Sequence, residues 1–244
     1  MQHETITVED VGDFISKINR FEQRHVAQWF FRGHSNCSFK LVPSLYRLDV
    51  EGSFAKWCDV ERYMMQAFRR EAMPFIERPP VDELEWLTLA QHHGLPTRLL
   101  DWTTNPLIAL YFAVETHFQN DSDVWCYSIE SLNNCFAEAT HLARRLNLEG
   151  MRTIYFPRHV TPRVTNQSGC FTVHESEIPL EEEGDNLLDR LVRINIPASR
   201  KAAIVNELYA IGIHRGFIYP GLEGIAEKLR FEVTTKHYRH THEP

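Results

Sequence analysis

No apolar run in these 244 residues approaches the roughly 18 to 20 needed to cross a bilayer. The opening MQHETITVED has neither the basic stretch nor the apolar core of an export signal. Both absences predict a chain that stays in the cytoplasm and has no membrane partner. Lysine is scarce: among 26 basic residues it occurs only as Lys17, Lys40, Lys56, Lys201, Lys228 and Lys236. The resulting arginine excess suits bidentate binding of phosphate or carboxylate, although a biased base composition is the simpler explanation. The five cysteines, Cys37, Cys58, Cys126, Cys135 and Cys170, are odd in number and include no C-x-x-C pair. They read as reduced thiols, with neither a disulfide framework nor a zinc cluster. Also missing are G-x-x-x-x-G-K-[ST], H-E-x-x-H and G-x-S-x-G, which removes support for common phosphotransferase, zincin and esterase chemistry. A formal charge of -7 argues against a chain that coats nucleic acid, while leaving room for a local basic groove.

What is present is enough apolar residue, 43%, to fill a sizeable core. TVEDVGDFISKINRFEQRH predicts an opening helix capped by Thr7, with Val11, Phe14, Ile15 and Ile18 on one face. A short strand, WFFRG, follows, then a polar connection, then helical spacing between Phe54 and Ile76 that ends at Arg78-Pro79-Pro80. Asp82 starts another helix that Gly94 stops. Thr97 to Thr103 suits a strand, and Asn105-Pro106 caps and opens a helix so apolar, from Leu107 to Val114, that it belongs at the centre of the domain. DVWCYSIE, CFTVH and LLDRLVRINIP read as strands, FAEATHLARRLNL as a helix, and EIPLEEEGD as a solvated loop. SRKAAIVNELYAIGI reads as a helix capped by Ser199, and YPGLEGIAEKL as a turn feeding a short helix. HYRHTHEP reads as a disordered tail. With no repeat or composition break, one α+β domain is the economical fold class.

Three polar clusters fall where strands end, the positions at which a scaffold displays binding residues. The first is Arg32-Gly33-His34 after three aromatics. Glycine permits a tight turn or a close ligand, and the arginine fork fits a pyrophosphate. From spacing alone, an internal ion pair with a carboxylate such as Asp101 is the slightly better explanation of that arginine. The second runs from His92-His93 through Arg98 to Asp101-Trp102-Thr103-Thr104. Vicinal histidines on a helix diverge, so no shared metal is expected, but one of them can meet a ligand. Trp102 can stack on a flat ring, and Thr103 or Thr104 can hold a ribose hydroxyl or phosphate beside the next helix. A helix cap with a core tryptophan explains these residues as well. The third is Arg163 to Gly169, in which Gln167 carries both a donor and an acceptor, or forms an ordinary surface turn. A fourth is Tyr219 to Gly224, where Glu223 reads most simply as a first-turn acid favouring the helix dipole. His237, His240 and His242 sit in the loose tail with no fixed geometry for a metal.

Taken together, Phe31-Arg32-Gly33-His34, LVPSLYR, QHHGLPTRLLDWTTNPLIALYFA, QSGCFTVH and YPGLEGIAEKL resemble the FRG domain, named for its F/Y-R-G motif. That resemblance implies an FRG domain over residues 29–236, preceded by an N-terminal helix within 1–28 and followed by a tail over 237–244. The family is bacterial and phage-borne, which implies a role in phage defence or as a toxin. More distantly, the order of an aromatic-Arg-Gly strand, a Ser/Thr-rich strand end and a helix of A-x-x-F-A type is similar to ADP-ribosyltransferases of the Arg-Ser-Glu class. That similarity implies a small split mixed or antiparallel sheet surrounded by helices, with NAD as substrate and no metal. Arg32 would hold the NAD phosphates with Gly33, His34, His92, His93, Arg98, Asp101, Trp102 and Thr104 around them, and Thr103 would take the place of the serine. The third, acidic position falls near Gln167, which is neutral; Glu223, Asp101 and Glu175 are the other candidates. The alternative implied function is a non-catalytic module that binds a nucleotide, a nucleic-acid end or a protein partner.

Overall fold

The computed structural model describes residues 5–22, 28–50, 56–129, 154–158, 165–182 and 189–235. The expected helix FAEATHLARRLNL and the tail HYRHTHEP lie outside them. Seven strands form one mixed sheet: β1 (Thr5–Thr7), β2 (Gln28–His34), β3 (Leu99–Thr103), β4 (Ser122–Ile129), β5 (Ile154–Tyr155), β6 (Gly169–Val173) and β7 (Asp189–Ile196). Their order is β1-β7-β4-β2-β3-β6-β5, with β1 and β7 parallel and every other pair antiparallel. Among the described residues seven α-helices surround it: α1 (Val11–Glu22), α2 (Trp57–Ala72), α3 (Glu83–His92), α4 (Pro106–Val114), α5 (Ala198–Ala210), α6 (Arg215–Ile218) and α7 (Leu222–Thr235). The fold class is therefore the expected mixture of helix and sheet in a single domain.

The helix boundaries follow local chemistry. Asp82 accepts from the Glu85 amide to start α3, and Gly94, at φ 88°, follows its end in the left-handed region that glycine tolerates. Asn105 accepts from the Leu107 amide, and Pro106 takes the first position of α4. Two caps differ from expectation. Thr7 belongs to β1, extended against β7, and Asp10 instead accepts from the Asp13 amide at the start of α1. Ser199 lies inside α5, whose first amide, that of Ala198, is bound by Asp121 from the loop before β4. Strands β1 and β5 and the single-turn α6 are too short to carry a periodic pattern, and α7 extends well beyond the short helix expected there.

The core is divided by the sheet. On one face α1, α4 and α5 bury Phe14, Ile18, Ile108, Leu110, Ile204 and Leu208 against Trp29, Phe31, Val124, Cys126, Ile194 and Ile196. On the other face irregular segments bring Leu41 and Leu180 onto Phe30, Leu100, Trp102, Trp125 and Tyr127. A third cluster joins Met65 of α2 and Leu84, Leu87 and Ala90 of α3 to Leu99, Tyr155 and Phe171. Each fully buried aliphatic contributes about 1.5 to 3 kcal/mol by leaving water.

The seam between β2 and β3 positions the site. β2 pairs with β4 from Gln28 opposite Ile129 to His34 opposite Asp123, and β3 with β6 from Leu99 opposite Val173 to Thr103 opposite Gly169. β2 and β3 themselves share a single register pair, Phe31 opposite Thr103. Beyond it no further residues of the two strands pair, so the sheet is split at its middle.

Candidate functional site

A cleft of about 470 Å³ opens at this split. Arg32 stands at its centre because β2 alternates: Phe31 is buried against the helices, and Arg32 is turned to the seam. Its Nη1 donates to the Asp101 carbonyl at 2.7 Å, bridging β2 and β3 where their register has ended. Nε donates to His34 Nε2 at 3.1 Å. Nη2 makes no hydrogen bond to any described residue. The Arg32–Asp101 pair exists, but it is loose and open: Nη1 lies 3.5 Å from Asp101 Oδ2, and the two side chains are 20% and 60% exposed. The guanidinium is thus held by one edge and uncommitted at the other. Burial lowers the Arg32 pKa from its ordinary value; the Asp101 carboxylate opposes this and the charge of Arg47 adds to it. Arginine nonetheless stays protonated.

Arg47, which ends the 3-10 turn Ser44–Arg47, lines the same cleft and makes no hydrogen bond or ion pair with any described residue. Its charge reaches both Arg32 and His34. Burial, helped by Arg32, pushes the His34 pKa down to about 3, so the imidazole is neutral and accepts at Nε2 with its proton on Nδ1. That Nδ1 is buried without a hydrogen-bond partner among the described residues.

Gly33 has a different reason from the tight turn or close ligand read from sequence. It lies within β2, and a Cβ there would stand 2.0 Å from the Ala109 carbonyl oxygen and 2.6 Å from the Ala113 amide of α4. The glycine of the strand and the two alanines of the helix therefore let backbone meet backbone. This draws α4 close to the sheet and puts Phe112 and Glu115 in the cleft wall.

Of the residues singled out in the sequence, Arg32, Gly33, His34, His92, Asp101, Trp102, Thr103 and Gln167 come together around the cleft. Their availability differs. Trp102 is 3% exposed, tilted against Tyr127 with its indole N–H on Thr172, so its ring belongs to the core. Thr103 Oγ1 donates to the Gln167 carbonyl at 2.7 Å and accepts from the Asn105 amide at 3.0 Å. Gln167 Nε2 donates to the Ile218 carbonyl at 3.1 Å. His92 and His93 hold their rings at 88°, and only His92 lines the cleft. Arg98, Thr104 and Glu223 do not line it: Arg98 is paired with the buried Glu61 at 2.5 Å, the Thr104 amide bonds the Ser168 carbonyl, and Glu223 is exposed in the first turn of α7.

Sequence reasoning missed Arg47, Gln91, Glu115 and the aromatics Phe39 and Phe112, all of which line the cleft. Gln91 donates to Asp101 Oδ1 at 2.7 Å and fixes that carboxylate. Glu115, 13% exposed at the end of α4, accepts from the Tyr219 hydroxyl at 2.9 Å and lies 3.5 Å from Arg215 Nη1. Arg47 was visible only as part of LVPSLYR, and Glu115 as the first charge after an apolar helix. Among the described residues no His, Cys, Asp and Glu cluster has metal-holding geometry, and no helix is long and apolar enough to cross a membrane.

Among known protein families, residues 27–122 match the FRG domain. The matched stretch contains Arg32, Arg47, Gln91, Asp101 and Glu115, and stops before Gln167 and the YPGLEGIAEKL segment. No curated protein matches the sequence, and no solved structure matches the fold.

Proposed function

We propose that the cleft binds a nucleotide through its phosphates, that NAD is this ligand, and that the site carries out ADP-ribosyltransferase or NAD glycohydrolase chemistry. The observation that carries the reading is the pairing of an uncommitted Arg32 edge with an unpaired Arg47 in one cleft. Arg32 is largely buried with only a loose counter-charge and Arg47 stands exposed beside it, so an anionic ligand can take charge-assisted hydrogen bonds from both. Phe39 and Phe112 add apolar faces for a flat ring, and 470 Å³ suits a ligand of nucleotide size.

A second reading, binding without turnover, is favoured by the neutral amide of Gln167 and by the commitment of the Thr103 hydroxyl to its own turn. Such a module, for a nucleotide, a nucleic-acid end or a protein, needs the arginines and no acid. Calorimetric titration of NAD into the intact protein and into Arg32→Ala tests the shared premise. Heat from the intact protein, with affinity reduced at least tenfold in the variant, is expected. No heat from the intact protein overturns the NAD reading; where binding is seen, nicotinamide release separates enzyme from binding module.

A further inference from the structure

The cleft has two carboxylates, and they differ in every respect that matters for chemistry at a sugar. Asp101 is 60% exposed and is engaged by Gln91 and Arg32. Glu115 is 13% exposed at the end of α4, where it lines both this cleft and the neighbouring cavity that Arg215 lines. Its placement runs against helix stability: an acid at a helix C-terminus faces the negative end of the macrodipole, which favours lysine or arginine there. Two elements far along the chain hold it in that position. Arg215 of α6 offsets its charge, and Tyr219 donates its hydroxyl to Oε1. Tyr219 is itself fixed by α7, because a Cβ on Gly224 would fall 1.8 Å from the Tyr219 carbonyl oxygen. The YPGLEG segment thus packs against the backbone that carries the Glu115 hydrogen-bond donor.

We propose that Glu115 is the catalytic carboxylate of the cleft, a role that neither Gln167 nor Glu223 fills. This rests on the NAD reading above. In that reaction the bond between ribose C1′ and the nicotinamide nitrogen breaks, and its electron pair leaves with neutral nicotinamide. C1′ is left with oxocarbenium character. Water or an acceptor nucleophile then forms the new bond to C1′ and gives up its proton to bulk water. Glu115 accepts a hydrogen bond from a ribose hydroxyl and stabilises the developing positive charge, which a neutral amide cannot do. Tyr219 and Arg215 are positioning residues that fix the direction and depth of the carboxylate.

The test compares Glu115→Gln, Glu115→Asp and Tyr219→Phe with the intact protein for NAD affinity by calorimetry, nicotinamide release and thermal melting. Expected are NAD affinities within about threefold of intact and nicotinamide release reduced at least 100-fold in Glu115→Gln. Glu115→Asp, which keeps the charge at shorter reach, should retain more activity than Glu115→Gln, and Tyr219→Phe should lose about tenfold. If Glu115→Gln does not fold, the Asp and Phe variants carry the comparison, and intact-level release from both overturns the assignment. Glu115→Gln that binds NAD and releases nicotinamide at the intact rate overturns the role of Glu115 alone. An intact protein that binds NAD without releasing nicotinamide also overturns it and leaves the binding reading standing. An intact protein that does not bind NAD removes both.

Discussion

Two residues follow Arg32, and neither is interchangeable. Gly33 is required by space, since any Cβ meets the α4 backbone well inside contact distance. Gly33→Ala is expected to destabilise by about 2 to 4 kcal/mol, read as a lower midpoint in urea, because both contacts are backbone atoms that cannot swing aside. His34 is required as a neutral acceptor. Its pKa near 3 in the fold lies below the ordinary 6.5, so between those values the unfolded chain binds a proton that the native state does not. Its contribution is complete above about pH 6.5 and is lost as pH falls toward 3. Urea unfolding at pH 7 and pH 4 should differ by on the order of 3 kcal/mol from this group. In His34→Gln, whose amide oxygen can still accept from Arg32, the difference should shrink by about that amount; an unchanged difference would show that His34 is not its source. The pattern Phe-Arg-Gly-His revealed an interrupted apolar strand, but not why the glycine is there, because its partner is the helix that follows β3.

At the scale of elements, α5 holds the rim of the cleft through a single fully buried lysine. Lys201 Nζ donates to the carbonyls of Ser35 at 2.8 Å, Thr116 at 2.7 Å and His117 at 3.0 Å, with Asn120 at 3.4 Å. Burial lowers its pKa to about 8, so it is still largely protonated at neutral pH. One ammonium therefore ties the end of β2 to the loop after α4, where His117 adopts φ 52°. Lys201→Met is expected to leave these carbonyls unsatisfied and to lose about 2 to 4 kcal/mol of stability. Hydrogen exchange in residues 116–120 should accelerate at least tenfold; an unchanged loop would mean that other contacts hold it. The helices α3 and α4 were legible, since Asp82 and Asn105-Pro106 are local signals that the structure uses as such. β1, β5 and α6 were not, because two to four residues hold too little pattern and depend on partners elsewhere in the chain.

Across the whole molecule, two half-sheets meet at Phe31 and Thr103 and are bridged beyond that point by a side chain instead of a ladder. The sequence showed which residues end strands, and those ends do converge: Arg32, Asp101 and Gln167 share one cleft. It could not show that Arg47 and Glu115 join them. Strand order and the path of the connection from Cys37 to Leu48 decide that, and neither has a local code. The central claim is that two guanidinium groups, one half engaged and one unpaired, make the split an anion receptor. It is tested most directly by comparing the affinity for NAD with that for nicotinamide riboside, which has the same reactive half and no phosphate. The account predicts that NAD binds at least tenfold more tightly, about 1.4 kcal/mol or more, and that the advantage disappears in Arg32→Ala and Arg47→Ala. Equal affinities in the intact protein, or no binding of either ligand, would contradict it.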